Sequence, residues 1–204
     1  MKTAGKYGVG VLSIASYSEE GLAALPTQWG FGETSAREHG QRIDRADWRI
    51  VMPFHLSESK EQAWQEVAEG LKRWQNEYIV GILGTPQRSP FNDGYEAARK
   101  LDERGGAIFG TPDDALDKIA RLEELSGGFG TILCFAHDWA PLDKTLKSYD
   151  LIARYVMPRC QGLVRSVQAS ADRVQANKAM LIEKSVNAIM KAIRDYNAEH
   201  PRQK

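Results

Sequence analysis

Between Gly110 and Trp139 the chain spells out one complete helix–strand unit and ends it on a polar and aromatic cluster. Thr111 is a good N-cap, Pro112 suits the first helical position, and Asp113 and Asp114 sit in the electropositive first turn. Leu116, Ile119, Leu122 and Leu125 recur at helical spacing, and Gly127-Gly128 stops the helix. Thr131 to Phe135 is a short apolar run of strand type, followed directly by His137, Asp138 and Trp139. In parallel α/β folds, ligands are held just beyond the carboxyl ends of strands. The strand is a rigid base, and His-Asp-Trp stands at its tip.

The rest of the chain repeats this plan. Met1 to Gly8 reads as the tail of a helix with a glycine cap, and Val9 to Ala15 as a strand apolar nearly throughout. Ser16 to Pro26 is expected to be a loop and Gln28 to Gly40 a helix. Trp48 to Leu56 is the second strand, ending or bending at Pro53, which cannot donate to a ladder. Ser59 with Gln62 predicts a capping box opening a helix to about Tyr78. Gly81 to Arg99 reads as a long connection leading to a short helix near Tyr95 to Glu103, and Ala107 to Phe109 as a third, very short strand. Leu142 to Met157 is expected to be a helix with Leu146, Tyr149, Ile152, Ala153 and Val156 inward and Pro158 after its end. From Leu163 to His200 no Gly or Pro occurs, and an apolar stripe predicts one long amphipathic helix or two closely joined ones. Strand–helix alternation argues for a parallel sheet with helical crossovers, either half of a (β/α)8 barrel or a three-layer open sheet.

Twenty-seven basic and 27 acidic residues cancel, which argues against a nucleic-acid binder that works through phosphate contacts. No apolar run approaches the roughly 18 residues that span a bilayer, so no membrane partner is expected. Cys134 and Cys160 make neither a disulfide framework nor a metal pattern, consistent with a reducing cytoplasmic setting.

His137 reads either as a hydrogen-bond or proton donor facing a ligand or as a histidine bonded to a loop carbonyl. His55, near the tip of the second strand, has the same two readings. Ser13 reads as a satisfied core hydroxyl or a strand-tip contact. Trp29, Trp48 and Trp74 read as packing, His39 and His200 as surface residues, and Asp44-Arg45 as a surface turn pair of little energetic weight. Gly110-Thr-Pro-Asp could hold an anion but reads more simply as an ordinary cap. Walker loops, dinucleotide glycine fingerprints, zinc spacings and nucleophile elbows do not occur in the sequence.

Several segments also resemble one family. Ala4-Gly5-Lys6-Tyr7-Gly8 through Ser13, Trp48-Arg49, Gly110-Thr-Pro-Asp-Asp-Ala115, Ser126-Gly-Gly-Phe-Gly-Thr131, Ala136-His-Asp-Trp-Ala140 and Ala153-Arg-Tyr-Val-Met-Pro158 resemble the bacterial luciferase-like flavin monooxygenases, within them the limonene 1,2-monooxygenase branch. The resemblance covers roughly residues 1 to 162 and implies an α/β fold: a partial (β/α)8 TIM barrel, strands five to eight with their helices. Residues 163 to 204 are then a helical C-terminal extension. The resemblance also implies an N-terminally truncated fragment of a longer barrel.

By the same resemblance, reduced FMN, supplied by a separate flavin reductase, would serve in passing one oxygen atom from O2 to a small apolar substrate such as a terpene alkene. His137 would make the catalytic polar contact; Ser13, Met52 and His55 would line the flavin pocket; Trp74 and Trp139 would wall the substrate cavity. No metal is implied. Two other readings stand beside it: a non-catalytic partial barrel acting as a structural or interaction subunit, and a deazaflavin-dependent oxidoreductase on the same scaffold. Raw sheet edges imply a homo-oligomer or a complementing barrel half.

Overall fold

The chain enters through helix α1 (Lys2–Tyr7), which Gly8 ends in the left-handed conformation with φ 63°. It leads to strand β1 (Val11–Ser13). The computed structural model describes residues 1–14, 19–84, 89–162 and 165–200. Helix α2 (Glu19–Glu38) corrects the expected loop over Ser16 to Pro26, for it runs straight through Pro26; residues 15–18 lie outside the described part. A helix-interior proline costs about 3 kcal/mol. Leu22, Leu25 and Trp29, one turn apart on the buried face, offset it at roughly 1.5–3 kcal/mol each.

A turn at Arg45–Asp47, capped by the Asp44 carboxylate accepting from the Ala46 amide, delivers strand β2 (Trp48–Leu56). Its bounds match the expected strand. Ser59 accepts from the Gln62 amide and opens α3 (Lys60–Arg73), which continues as a wider π-helix over Trp74–Ile82. The expected capping box is only half formed, because the Gln62 side chain donates to Glu66 instead. Helix α4 (Gly94–Glu103) and strand β3 (Ile108–Gly110) follow. Helix α5 (Pro112–Ser126) starts at the expected N-cap, Thr111, which forms a reciprocal capping box with Asp114, with Pro112 in its first turn and Gly127 at its left-handed end. Strand β4 (Thr131–Phe135) again has the expected bounds.

All strand pairs are parallel, and β2 is the axis. β1 pairs with its first residues, Val11 opposite Trp48 and Ser13 opposite Ile50. β4 pairs with Arg49 to Pro53 and β3 with Phe54 to Leu56. Pro53, lacking an N–H, therefore marks the hand-over from one ladder to the next rather than an end of the strand. β4 lies beside β2 and not beside β3, whose three residues reach only the end of β2. A run of four consecutive barrel strands would place β4 beside β3, so the sheet is parallel as expected but small and differently paired.

Trp48, Ile50, Met52, Phe54 and Leu56 put one face of β2 into a core with α2, α5 and Ile152 and Val156. Trp29 and Trp48 stack there at 4.8 Å between ring centroids. A second cluster joins Ala63, Trp64, Val67 and Leu71 of α3 to Ala97, Ala98, Phe109, Trp139 and Ala140. The turn pair Asp44-Arg45 is more than surface decoration. The Arg45 guanidinium lies 4.9 Å from Trp29 and 5.6 Å from Trp48, and donates to the Ser126 and Gly128 carbonyls at 2.7 and 3.0 Å.

Helix α6 (Leu142–Leu151) passes through a π turn at Ile152–Val156 into α7 (Met157–Cys160). Pro158 falls inside α7 rather than after the helix end, directly behind the π turn. Leu146 and Tyr149, expected inward, are 58% and 44% exposed, and Ala153 is exposed too; Ile152 and Val156 are buried as expected. The chain divides into two compact units, Met1–Met157 and Pro158–Lys204, a few residues ahead of the expected boundary. The second unit holds α8 (Arg165–Ala176) and α9 (Lys178–Glu199), joined at Asn177. Leu163 and Val164, where the expected helix begins, lie outside the described residues.

Candidate functional site

The carboxyl ends of β2 and β4 lie together, because Pro53 pairs with Phe135. Two residues beyond each come His55 and His137, on the sheet face opposite Met52 and Ile50. Ser57's amide donates to the Gly110 carbonyl and Leu56's amide to Ser148 Oγ, both at 2.8 Å. These bonds pin the end of β2 to β3 and to α6.

His55 is buried and bonded through Nε2 to Glu66 Oε2 at 2.8 Å. Gln62 Nε2 donates to the other carboxylate oxygen at 2.9 Å. Burial alone would raise the Glu66 carboxyl; the hydrogen bonds from His55 and Gln62 outweigh it and hold it below the ordinary carboxylate value. The sequence pattern did not single out Glu66. Its signal was its place on α3, one turn beyond Gln62.

His137 lies flat on Trp139, with ring centroids 3.5 Å apart and planes 16° from parallel. Both of its ring nitrogens are buried and, among the described residues, have no hydrogen-bond partner; the same holds for Trp139 Nε1 and Trp64 Nε1. Buried polar atoms are ordinarily satisfied, so such a group of them calls for a partner. Burial, helped by nearby His55, pushes the His137 imidazole down to about 4, against the opposing pull of its own backbone and, more weakly, of Asp138. It is therefore neutral at pH 7. Asp138 does not orient the ring: it is almost fully exposed and faces Arg73 at 3.6 Å. Trp139 performs that role, wedged against Trp74 at 5.3 Å and Phe109 at 6.4 Å.

The wedge depends on Gly70. A Cβ there would lie 2.2 Å from Trp139 Cα and 2.3 Å from its carbonyl oxygen, so only glycine lets α3 approach this closely. From the rim downward, the sheet face on the His137 side is apolar and open: Leu12, Ile14, Leu133 and Phe135 are 51%, 57%, 38% and 43% exposed.

The structure thus brings together His55, Trp74, His137 and Trp139. It does not bring Ser13 and Met52 to them. Ser13 pairs with Ile50 on the opposite, helix-packed face, where its hydroxyl accepts from Trp48 Nε1 at 2.9 Å. Met52, on that same face, borders a cavity of about 250 Å³ with Leu22, Leu122 and the ion pair of Lys118 and Asp102. No group of side chains suited to a metal ion occurs among the described residues.

Two solved structures share this architecture. Monooxygenase RslO1 from Streptomyces bottropensis superposes over 78% of this chain and 44% of its own, with TM-score 0.60 and 19% identity. The oxygenating constituent of 3,6-diketocamphane monooxygenase from Pseudomonas putida, a type II Baeyer–Villiger monooxygenase in complex with FMN, matches over 77% of this chain and 44% of its own, with TM-score 0.58 and 26% identity. In sequence, limonene 1,2-monooxygenase from Rhodococcus erythropolis is 40% identical over 161 residues, 79% of this chain and 41% of that protein. The chain is homologous to the luciferase-like monooxygenases. The 4-hydroxyprotoasukamycin monooxygenase of Streptomyces nodosus subsp. asukaensis is 36% identical over 185 residues, 88% of this chain and 50% of that protein. No family model matches the chain. The chain spans about half the length of the curated relatives it matches.

Proposed function

We propose that the chain forms one half of a flavin-dependent monooxygenase that inserts one atom of O2 into a small apolar substrate such as a terpene alkene. In this reading its β/α units stand in for the last four of a (β/α)8 barrel, and four further units complete the flavin site. The observation that carries the reading is the 36–40% identity to two named monooxygenases over about four fifths of the chain. The open face fits a flavin: an apolar wall of Leu12, Ile14, Leu133 and Phe135 suits a flat ring system, and the unpartnered His137 nitrogens suit its polar edge. When bound, reduced FMN, recharged by a separate reductase, would supply the electrons that activate O2.

The chain's own residues have narrower tasks. The neutral His137 ring is free to donate one N–H hydrogen bond to a ligand and to accept another; at pH 7 it carries no cationic proton to give away. Stacking on Trp139 fixes its plane. Trp74 and Trp139 close one side of the substrate space and keep water from it. His55, with one nitrogen tied to Glu66, is held in a fixed orientation beside them. Ser13 and Met52 contribute to the sheet's packing on its far face.

The test is an FMN titration, followed by flavin fluorescence, of the chain mixed with the portion of the Rhodococcus enzyme that it does not span. Saturable binding by the mixture, lost or weakened at least tenfold in His137→Ala, is expected. A second reading, a non-catalytic subunit, is favoured by the open apolar sheet face alone. Association of the two halves without flavin binding would select it and overturn the first.

A further inference from the structure

Two histidines stand beyond adjacent strand tips, and they differ in what lies behind them. Among the described residues, the His137 ring nitrogens have no hydrogen-bond partner, whereas His55 Nε2 lies 2.8 Å from Glu66 Oε2. Both members of that pair are buried, with side chains 4% and 10% exposed. Gln62 Nε2 donates to the other carboxylate oxygen at 2.9 Å, and the Ser57 hydroxyl donates as well. Burial works against the charge, but these donors outweigh it and hold the Glu66 carboxyl below the ordinary carboxylate value. An ionised carboxylate only accepts hydrogen bonds, so the proton between the two residues belongs to His55 Nε2. Nδ1 is then the nitrogen at which His55 exchanges a proton with a ligand.

Taking the oxygenation reading for the use made of the proton, we propose that Glu66 is a positioning residue that makes His55, and not His137, the proton-exchanging group of this site. A second proton, drawn from water, makes His55 an imidazolium whose charge lies against the Glu66 carboxylate. Passing the Nδ1 proton to an oxygen that has gained an electron pair returns the ring to neutral, while Nε2–H stays on Glu66 and the carboxylate stays ionised throughout. The acid orients the ring and stabilises its charged form without itself taking the proton. His137 lacks that support: burial holds it down to about 4, and the adjacent Asp138 turns to Arg73. A pair that served only to hold α3 against β2 would cost less as two apolar side chains, because a buried carboxylate must be taken out of water. Among the described residues, the other titratable groups that face the pair are His137, whose ring feels His55, and Glu58 and Lys147, which are ion-paired at 2.5 Å and feel Glu66. The opposite charges of Glu58 and Lys147 nearly cancel at the carboxylate, so neither replaces Glu66 as the counter-charge.

The experiment is ¹⁵N NMR of the imidazole rings in the full ¹⁵N-labelled chain as the pH is lowered, for wild type and Glu66→Gln, with the four histidines assigned through single glutamine substitutions. Expected in the wild type are a neutral His55 ring that carries its proton on Nε2, and a charged-to-neutral ratio for His55 at least tenfold above that of His137 at each pH. In Glu66→Gln that lead should shrink at least tenfold and the preference for Nε2–H should be lost. Far-UV circular dichroism checks that the variant is folded. Should it unfold, Glu66→Asp, which draws the carboxylate back by one methylene, is read in its place, with the same direction expected. A neutral wild-type ring protonated at Nδ1, His137 charging first, or a lead unchanged by the substitution overturns the inference. In the chain completed by the complementary portion of a relative, Glu66→Gln should lower kcat at least tenfold and flatten the pH–rate profile, with KM unchanged. An undiminished kcat marks the pair as structural and also overturns it. Failure of the wild-type mixture to bind FMN sinks the oxygenation reading alone, because the order of charging is read on the chain by itself.

Discussion

Lowering the pH from 7.5 to 5 should weaken the chain through His137 in particular. In the folded state its imidazole is held down to about 4 by burial, whereas an unfolded histidine titrates near 6.5. Below pH 6.5 the unfolded chain therefore binds a proton that the folded chain refuses. Stability falls as pH falls from about 6.5 toward about 4, and levels off once both states are protonated. Each pKa unit corresponds to about 1.4 kcal/mol, so the full window is worth roughly 3 kcal/mol at most and the part above pH 5 about 2 kcal/mol. Glu66 and Asp114, held below the ordinary carboxylate value, lose their contribution only at lower pH, through and below the carboxylate range. The window from 6.5 to 5 consequently isolates the histidine. The assay is urea denaturation of wild type and His137→Leu, which keeps an apolar body on Trp139 and removes the titration. Between pH 7.5 and 5 the stability difference between the two should move by about 2 kcal/mol in favour of the leucine variant. Parallel pH profiles would refute the claim that this imidazole is buried and neutral.

The remaining expectations concern the frame around the site. Gly70→Ala drives a methyl into the Trp139 backbone and should destabilise the unit by about 1–3 kcal/mol in urea, despite alanine's better helix propensity. It should also change Trp139 fluorescence; unaltered stability would mean α3 and residue 139 are not in contact. Arg45→Ala removes two carbonyl hydrogen bonds and the cap on the Trp29–Trp48 stack, for a loss of about 2 kcal/mol, whereas a surface turn pair would lose less than about 1. Ser13→Ala leaves the Trp48 indole N–H buried without an acceptor and should cost about 1–3 kcal/mol, with flavin binding by the completed barrel unchanged.

Elements whose local chemistry agreed with their tertiary setting were legible in the sequence. β2, β4 and α5 have their expected bounds because cap, proline and glycine signals coincide with changes in hydrophobic period. α2 was misread at its start because Pro26 carries a strong local signal that the burial of Leu22, Leu25 and Trp29 overrides. Arg45 was misread because its worth comes from Ser126, Gly128 and two tryptophans distant in sequence. For the site, His55, His137 and Trp139 follow strand tips, and the structure places them near one another. Residue parity along a strand decided against Ser13 and Met52: both lie on the face whose alternation runs through Trp48, Ile50 and Phe54. Glu66 and Gly70 were invisible, since a carboxylate and a glycine on an amphipathic helix look ordinary until the helix is docked.

The most direct test of the central claim uses the chain joined by the complementary portion of a relative, FMN, a flavin reductase, NADH and a terpene alkene under ¹⁸O₂. Mass spectrometry of the product should find one labelled oxygen atom per molecule, with the yield at least tenfold lower for His137→Ala. Reductant consumed with no label in the organic product, by a mixture shown to bind FMN, would contradict the assignment.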